Sequence, residues 1–245
     1  MKVTIVIPAY NSMNFIEQCV SSVLDQDYED FEIHAYDNES TDGTYEYLLQ
    51  LQVEHSKVTV QQLPNIHPNS YREAFDAGFE NSNGQYLTFV STDDFLAPDY
   101  ISNCMRIFKH DPKKIKCIQS GITGVRDNLE SGNQIHYYKS MNDFKQQCML
   151  RSPVNTPTVV YNTDLYSLIQ DSREYHQDNN VLDVGVGDYD MWCGLAERNI
   201  FIYPVKRCLG YYYRWHPGQC TWQVHNYAEN YDNLIKDYWR KKWNL

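Results

Sequence analysis

Two adjacent carboxylates follow a hydrophobic run whose residue types predict a buried strand. Residues 86–90 are apolar or β-branched, and Asp93 and Asp94 come shortly after them. Like charges side by side repel, but a bound divalent cation such as Mg²⁺ or Mn²⁺ turns that repulsion into attraction and prefers oxygen ligands. The alternative is that both acids serve the turn and the N-terminus of the helix that Pro98 opens.

The elements that must position these acids follow a repeating order. Strand-like apolar runs alternate with segments of helical spacing at residues 3–7, 11–24, 31–36, 40–52, 58–61, 71–81 and 86–90. This alternation predicts βαβ units and a parallel sheet, which binds ligands at the carboxyl ends of its strands. Asp37 ends one predicted strand as Asp93 and Asp94 follow another, so both carboxylate sites point to the same edge of the sheet.

The pattern changes after about residue 110. Strands are predicted within residues 115–125, 134–139, 157–162, 200–205 and 208–215, and helices at 187–199 and about 226–242. No glycine- or serine-rich linker separates the two parts. We therefore expect one continuous α/β body in which the first part binds one ligand and the second completes the site.

Composition narrows the class of protein. The chain has 32 acidic and 21 basic residues and a net charge of −11, so we expect no nucleic-acid partner, and a phosphate-ester substrate would need a cation. Seven scattered cysteines without CxxC spacing favour reduced thiols in a cytoplasmic protein. No apolar run is long enough to span a membrane, and the N-terminal VTIVIPAY is typical of a strand rather than a signal peptide.

Several common site motifs are absent or incomplete. The sequence contains no GxGxxG dinucleotide fingerprint, P-loop, GxSxG or HExxH. Residues 38–49 match the start of an EF-hand loop, but Leu49 stands where the bidentate glutamate is required. The sequence therefore does not favour a dinucleotide-binding site, a P-loop nucleotide site, a GxSxG hydrolase, an HExxH zinc site or an EF-hand calcium site.

Four segments in order resemble family 2 glycosyltransferases, which have the GT-A fold. In residues 3–48 a strand ending at Pro8 leads to a helix, a DQDY turn, a strand ending at Asp37, and STDGT. YLTFVSTDD falls where the family has its metal-binding D-x-D element, GDYDMW resembles its E-D-Y-D-x-W stretch, and YRWHPGQCT resembles its Y-R-x-H segment. The resemblance implies a GT-A-type, Rossmann-like, mostly parallel sheet flanked by helices in a single domain of residues 1–245. Residues 1–100 would bind the nucleotide sugar and residues 101–245 the acceptor.

The resemblance also implies how a divalent cation is held. Asp93, Asp94 and His216 are the expected ligands of Mn²⁺ or Mg²⁺. One of the two acids could instead hold the ribose, and His216 could instead contact the diphosphate. Ser91 stands where family members often carry an acid. If His216 binds neither the metal nor the diphosphate, it is a polar surface residue of a turn.

Donor recognition would involve the carboxyl ends of the first two strands. The Asp37 carboxylate can accept the ring N–H of uracil or guanine, with Pro8, Tyr10 and Asn11 packed around the base; alternatively, Asp37 merely ends its strand. Arg214 and Arg207 are weaker candidates for contact with the phosphates. Trp192, Trp215 and Trp222 could stack on sugar rings or pack in the core.

Asp188 is the expected general base, because it matches the family's second acid in E-D-Y-D and Gly187 replaces the first. Asp190 is the second choice. Both could instead be acids that complement the dipole at a helix N-terminus.

Three functions remain open. The first is an inverting, metal-dependent transferase in polysaccharide biosynthesis that moves a sugar, most often from UDP in this family, to a glycan, lipid-linked or protein acceptor. The second is a nucleotide-sugar-binding module without catalysis, suggested by Ser91 and Gly187. The third is a sugar nucleotidyltransferase, although the first strand lacks a basic, glycine-rich loop. The aromatic and basic C-terminal helix could touch a membrane surface, or dock on the body or on a second subunit.

Overall fold

The structure is a computed structural model that describes residues 1–65, 70–179, 187–206, 208–219 and 231–245. The strands are β1 (Val3–Ala9), β2 (Phe31–Asp37), β3 (Val58–Gln62), β4 (Tyr86–Phe89), β5 (Phe95–Leu96), β6 (Cys117–Gln119), β7 (Ile122–Arg126), β8 (Leu129–Gln134), β9 (Val160–Asn162), β10 (Ile202–Pro204) and β11 (Tyr211–Arg214). The α-helices are α1 (Ile16–Leu24), α2 (Thr44–Glu54), α3 (Ser70–Glu80), α4 (Tyr100–His110), α5 (Met141–Cys148), α6 (Tyr166–Gln170), α7 (Glu174–Asn179), α8 (Gly187–Glu197) and α9 (Tyr231–Trp243).

The larger sheet has the strand order β10-β6-β9-β4-β1-β2-β3. β1 pairs in parallel with β2 and β4, β2 with β3, and β6 with β10, whereas β9 runs antiparallel between β4 and β6. The chain moves from β1 outward to β3 and then returns to β4 on the other side of β1. The strand order therefore reverses between β1 and β4, which is where open α/β sheets bind ligands.

Alternating side chains on β1 explain why helices cover both faces of this sheet. Val3, Ile5 and Ile7 pack in one buried cluster with residues of α1, α2 and α4, and Val6 packs in a second with residues of α3, α5 and α8. Successive strand residues point to opposite faces, so a continuous apolar run needs cover on both sides.

A smaller sheet of order β5-β11-β7-β8 joins the two parts of the chain. β11 pairs antiparallel with β5, and Tyr212 is opposite Phe95. This pairing places the segment after β11 beside the turn between β4 and β5, so residues far apart in sequence meet at that turn.

The mostly parallel α/β fold is confirmed, and the elements of the first hundred residues lie where the sequence predicts them. The strand prediction for residues 134–139 is wrong: β8 is Leu129–Gln134 and pairs with β7 as a hairpin. The run 115–125 forms two strands in different sheets rather than one. Helices α5, α6 and α7 are not among the elements that the sequence predicts.

The described part of the C-terminal helix docks on the body. Ile235 and Trp239 of α9 are fully buried, and the Trp239 indole N–H donates to Asp190 Oδ1 at 2.7 Å. Lys242 pairs with Glu174. The apolar face of α9 is therefore covered by the protein itself, as the docking alternative predicts.

Candidate active site

Asp37 has a buried carboxylate with one oxygen left over. It is the last residue of β2, aligned with Ala9 of β1, and has no exposed surface. Its Oδ2 accepts hydrogen bonds from the Ser40 backbone N–H at 3.0 Å and the Gln62 amide at 3.1 Å, whereas its Oδ1 has no hydrogen-bond partner among the residues that the structure describes. A buried acceptor without a donor is costly, so Oδ1 suits a ligand N–H.

The loop after β1 lies beside Asp37 and is fixed in a left-handed turn. Asn11 has φ of 45°, its N–H donates to Ser40 Oγ at 2.9 Å, and its Oδ1 accepts the Thr41 N–H at 2.8 Å. Tyr10 is 53% exposed and Pro8 is half-buried. The exposed Tyr10 ring therefore stands at the same edge as the Asp37 carboxylate.

Asp94 is buried inside the protein, whereas the sequence analysis predicts that it is a cation ligand. Asp94 is 1% exposed. Its Oδ2 accepts a hydrogen bond from the Tyr211 hydroxyl at 2.9 Å, and its Oδ1 accepts one from the backbone N–H of Arg214 at 2.9 Å. Burial, followed by the neighbouring Asp93 carboxylate, raises the pKa of Asp94 well above its usual range. Because both oxygens are engaged inside the protein, Asp94 holds β11 against the β4–β5 turn, and we correct its assignment as a cation ligand.

Asp93, in contrast, faces outward beside His216. Its Oδ2 lies 3.1 Å from His216 Nε2, and the two side chains are 26% and 22% exposed. The imidazole also packs against Phe15, with ring centroids 4.7 Å apart. The small sheet thus brings together two potential metal ligands that are 123 residues apart in sequence.

The residues at this turn fit a divalent cation bound jointly with a ligand. A carboxylate oxygen and an imidazole nitrogen are both accepted metal ligands, and magnesium sites commonly use few protein groups and take the rest from substrate phosphates and water. Among the described residues no cluster of three or more His, Cys, Asp or Glu side chains could hold a metal. Asp93 and His216 therefore suit a cation that a diphosphate completes.

Arg214 supports the turn that carries Asp93. Its Nε donates to the Asp93 carbonyl oxygen at 2.8 Å, its NH2 group donates to Gln18 at 2.5 Å, and its guanidinium lies over the rings of Phe15 and Phe95. These contacts hold the side chain against the protein, so its first role is to fix the backbone of Asp93.

Asp188 reaches the same edge of the sheet through β9. Thr88 of β4 is opposite Val160 of β9, so the residues before Val160 lie at the carboxyl end of β4. There the Thr156 hydroxyl donates to Asp188 Oδ2 at 2.5 Å, and the Trp192 indole N–H donates to Thr156 Oγ1 at 3.3 Å. Asp188 lies in the first turn of α8 and is half-buried.

Two neighbours of Asp188 on α8 are structural. Trp192 has no exposed surface and stacks on Tyr161 at 6.1 Å, so the expectation that it stacks on a sugar ring is corrected. Asp190 is also fully buried, and its oxygens accept bonds from His176 at 2.9 Å and from Trp239. Asp190 is therefore no alternative base, since a buried, fully bonded carboxylate cannot reach an acceptor.

Sequence reasoning missed the residues that connect these groups. Ser12 Oγ lies 2.7 Å from Thr92 Oγ1 and joins the loop after β1 to the Asp93 turn, and Thr156 holds Asp188. Ser and Thr carry no local signal for such contacts, because their partners are 80 and 32 residues away. Arg207 and Trp222 lie outside the described residues, and Trp215 packs edge-on against Tyr213.

In the described ranges, no helix has the length and apolar character required to cross a membrane.

The thiol of Cys19, close to the Asp93 turn, is buried, and burial together with the negative charges of Asp94 and Asp93 raises the pKa of this thiol well above the usual value.

Known proteins share sequence and fold with this chain. A family model described as glycosyl transferase family 2 matches residues 4–168. A chondroitin synthase of Pasteurella multocida is 28% identical over 209 residues, which are 84% of this chain and 20% of that protein. This chain therefore spans about a fifth of the length of that relative.

Solved structures share the fold at low sequence identity. TarS of S. aureus in complex with UDP-GlcNAc superposes with a TM-score of 0.69 at 18% identity, covering 96% of this chain and 64% of TarS. The mannosyltransferase PcManGT of Pyrobaculum calidifontis, in complex with GDP-Man and Mn²⁺, gives 0.57 at 16% identity, covering 90% and 59%.

Proposed function

Since the chain belongs to glycosyl transferase family 2, we propose that it transfers a sugar from a nucleoside-diphosphate sugar to an acceptor hydroxyl with inversion at the anomeric carbon. The observation that supports this most is the convergence of three groups on one edge of the sheet: Asp37 after β2, Asp93 with His216 after β4, and Asp188 beside the start of β9.

Asp37 would recognise the nucleobase. Its unpartnered Oδ1 can accept the N–H of a uracil or guanine ring, and the partly exposed Tyr10 would cover the base. We propose UDP as the nucleotide, because TarS binds UDP-GlcNAc and superposes more closely than PcManGT, which binds GDP-Man.

Asp93 and His216 would bind the diphosphate together with Mn²⁺ or Mg²⁺. When bound, the cation supplies positive charge to the departing nucleoside diphosphate. Arg214 would act indirectly: it holds the Asp93 backbone, and its Phe15 contact keeps the rings of Phe15 and His216 in place.

Asp188 would accept the proton of the acceptor hydroxyl. As the acceptor oxygen bonds to the anomeric carbon, the bond from that carbon to the diphosphate oxygen breaks, and the hydroxyl proton passes to the carboxylate. General-base assistance of this kind is worth about 10²- to 10⁴-fold in rate. Thr156 fixes one carboxylate oxygen, so that the group is already oriented.

We propose a glycan as the acceptor, within polysaccharide synthesis, because a curated relative is a chondroitin synthase. Lipid-linked and protein acceptors are less favoured. The residues after position 100 would bind the acceptor. We also propose a cytoplasmic location, where reduced thiols persist, since Cys19, Cys104, Cys117, Cys148, Cys193 and Cys208 are buried and free.

Nucleotide binding and turnover test the proposal directly. UDP and GDP are compared by thermal shift with Mn²⁺ and with chelator, and a ligand at a hundred times its Kd stabilises by about 2.7 kcal/mol. Hydrolysis of a panel of nucleotide sugars then reports turnover. We expect Mn²⁺-dependent stabilisation by UDP, slow hydrolysis, and loss of hydrolysis in Asp188→Asn. The proposal fails if no donor is hydrolysed or transferred and Asp188→Asn matches the wild type.

The Asp37→Asn variant tests nucleobase recognition. Ser40 N–H and Gln62 both donate to Oδ2, so the asparagine oxygen must stay there, and its NH₂ then faces the N–H of the base. Loss of a hydrogen bond to a charged group costs about 1.5–3 kcal/mol, so we expect UDP affinity to fall about 10- to 100-fold. Asp25→Asn, an exposed acid, is the matched control.

A catalytically silent binding module is the second candidate. Ser91 stands where an acid is common in the family, and the structure uses its backbone rather than a carboxylate: its N–H donates to the Tyr211 hydroxyl at 3.3 Å and its carbonyl accepts the Asp94 N–H. Tight UDP binding without turnover of any donor would favour this candidate over the transferase.

A further inference from the structure

A groove lies at the edge of the larger sheet opposite the candidate active site. It has a volume of about 480 Å³ and is lined, among others, by Lys114, Lys116, Lys139, Phe201 and Tyr203; these five residues define the lysine groove. Lys116 directly precedes β6 and Phe201 directly precedes β10. Because β6 and β10 run parallel to β4, their amino ends face away from the edge that holds Asp93 and Asp188.

The lysine groove is lined by basic side chains although the whole protein is acidic. The Asp111 and Asp143 carboxylates lie nearby, where they accept the backbone N–H groups of Lys114 and Lys139. The chain carries a net charge of −11, yet the described residues that line this groove include three lysines and no acid. Among the described residues no carboxylate oxygen lies within 4.0 Å of the Lys114 or Lys139 ammonium, and Lys116 pairs with the 79% exposed Asp164 only at 3.9 Å. Such an exposed pair is weak. Ammonium groups around one space repel each other, so an anion there is favourable.

Aromatic rings form one wall of the groove and are held in place. Phe201 packs edge-on against Tyr203 at 4.8 Å and against the buried Tyr138 at 5.4 Å, and both Phe201 and Tyr203 keep part of their surface exposed. A ring that is fixed on one side and open on the other offers an apolar face to a sugar ring. Ammonium groups beside it can bind carboxylate, phosphate or sulfate substituents.

We propose that the lysine groove binds an anionic glycan, remote from the site of sugar transfer. Its volume falls within the roughly 300–1,000 Å³ of typical ligand sites. An acidic polypeptide fits less well: β10 is the outermost strand of the described sheet on this side, and its Pro204 has no N–H with which a peptide strand could pair.

The test measures binding of a polygalacturonate decamer by calorimetry at low salt. Lys114→Ala/Lys139→Ala removes two groove ammoniums, and Lys57→Ala/Lys241→Ala removes the same charge elsewhere. We expect about tenfold weaker binding for the groove variant and less than about twofold for the control. Neutral dextran of equal length should not bind, and rising salt should weaken polygalacturonate. UDP binding, measured in parallel, should be unchanged in both variants.

Three results would overturn this inference: no polygalacturonate binding by the wild type, equal loss in both double variants, or equally tight binding of polyglutamate. The last would show that charge alone is recognised. Melting temperatures of all variants establish that they are folded. Because UDP binding is a separate readout, failure of the groove is distinguishable from failure of the proposed transferase.

Discussion

The Thr156 hydroxyl donates a 2.5 Å hydrogen bond to Asp188 Oδ2 while it accepts the Trp192 indole N–H at 3.3 Å. Because the indole occupies an acceptor position of the hydroxyl, the threonine proton is directed to the carboxylate. Thr156 is itself fixed by the backbone before β9, which pairs with β4. The 3₁₀ turn Thr156–Thr158, which leads into β9, thus orients the proposed base, and Thr156 is a positioning residue.

Thr156→Val is expected to lower kcat by about 10- to 100-fold with little change in KM, since misplacement of a catalytic group by about 1 Å can cost 10²-fold. Thr156→Ser keeps the hydroxyl and should retain most of the rate. Steady-state kinetics with the best donor from the hydrolysis panel provide the measurement. Equal activity of the valine and serine variants would contradict the role of the hydroxyl.

Asp94→Ala is expected to destabilise the fold even when metal is chelated. The substitution leaves the Tyr211 hydroxyl and the backbone N–H of Arg214 without their buried acceptor. Each unsatisfied group lowers the free energy of unfolding by about 1–3 kcal/mol. Urea unfolding in EDTA gives the free energy. Asp93→Ala is the matched control on the same turn: its side chain is 26% exposed, so we expect a change of about 1 kcal/mol or less. A larger loss in Asp93→Ala than in Asp94→Ala would reverse our assignment of the two acids.

Trp239 should account for most of the docking energy of α9. Trp239→Ala empties a fully buried site and is expected to cost about 3–5 kcal/mol. Trp239→Phe keeps a ring but removes the donor to Asp190, at about 1–3 kcal/mol. Leu234→Ala on the same helix, 41% exposed, should change stability by less than about 0.5 kcal/mol. Chemical denaturation ranks the three, and an unaffected Trp239→Ala protein would mean that the helix docks by other contacts.

Glu32 should make the fold sensitive to acid. Burial opposes its ionisation, but bonds from Lys2, Thr4 and the Asn83 backbone outweigh it and lower the pKa of Glu32 to about 2. A carboxyl whose pKa is lower in the folded state stabilises the protein above the unfolded value, 4.5, and loses that contribution as the pH falls towards 2. Glu32→Gln should therefore reduce the loss of stability between pH 6 and pH 3.

Urea midpoints at the two pH values measure that difference. Glu46→Gln, an exposed acid of the first turn of α2, is the control and should follow the wild type. If Glu32→Gln shows the full wild-type loss of stability between pH 6 and pH 3, another carboxyl is responsible.

The amino-acid sequence by itself determined the βαβ order of the first hundred residues and the strand ends that carry Asp37 and Asp93. Those features depend on local periodicity and on residues adjacent in the chain, and both are properties of the sequence alone. The segment resemblance also indicates Asp188 and His216 without any information on their neighbours in space.

Only the tertiary structure decided which acid of each pair faces the site. Asp94 is buried by partners more than a hundred residues away, and Asp190 by partners on other helices. Trp192 stacks on Tyr161 of β9, and Thr156 bonds to Asp188 across 32 residues. Neighbouring residues of the same type can be distinguished only by what packs on them. Burial and long-range hydrogen bonds, rather than residue type, separate the outward Asp93 from the inward Asp94.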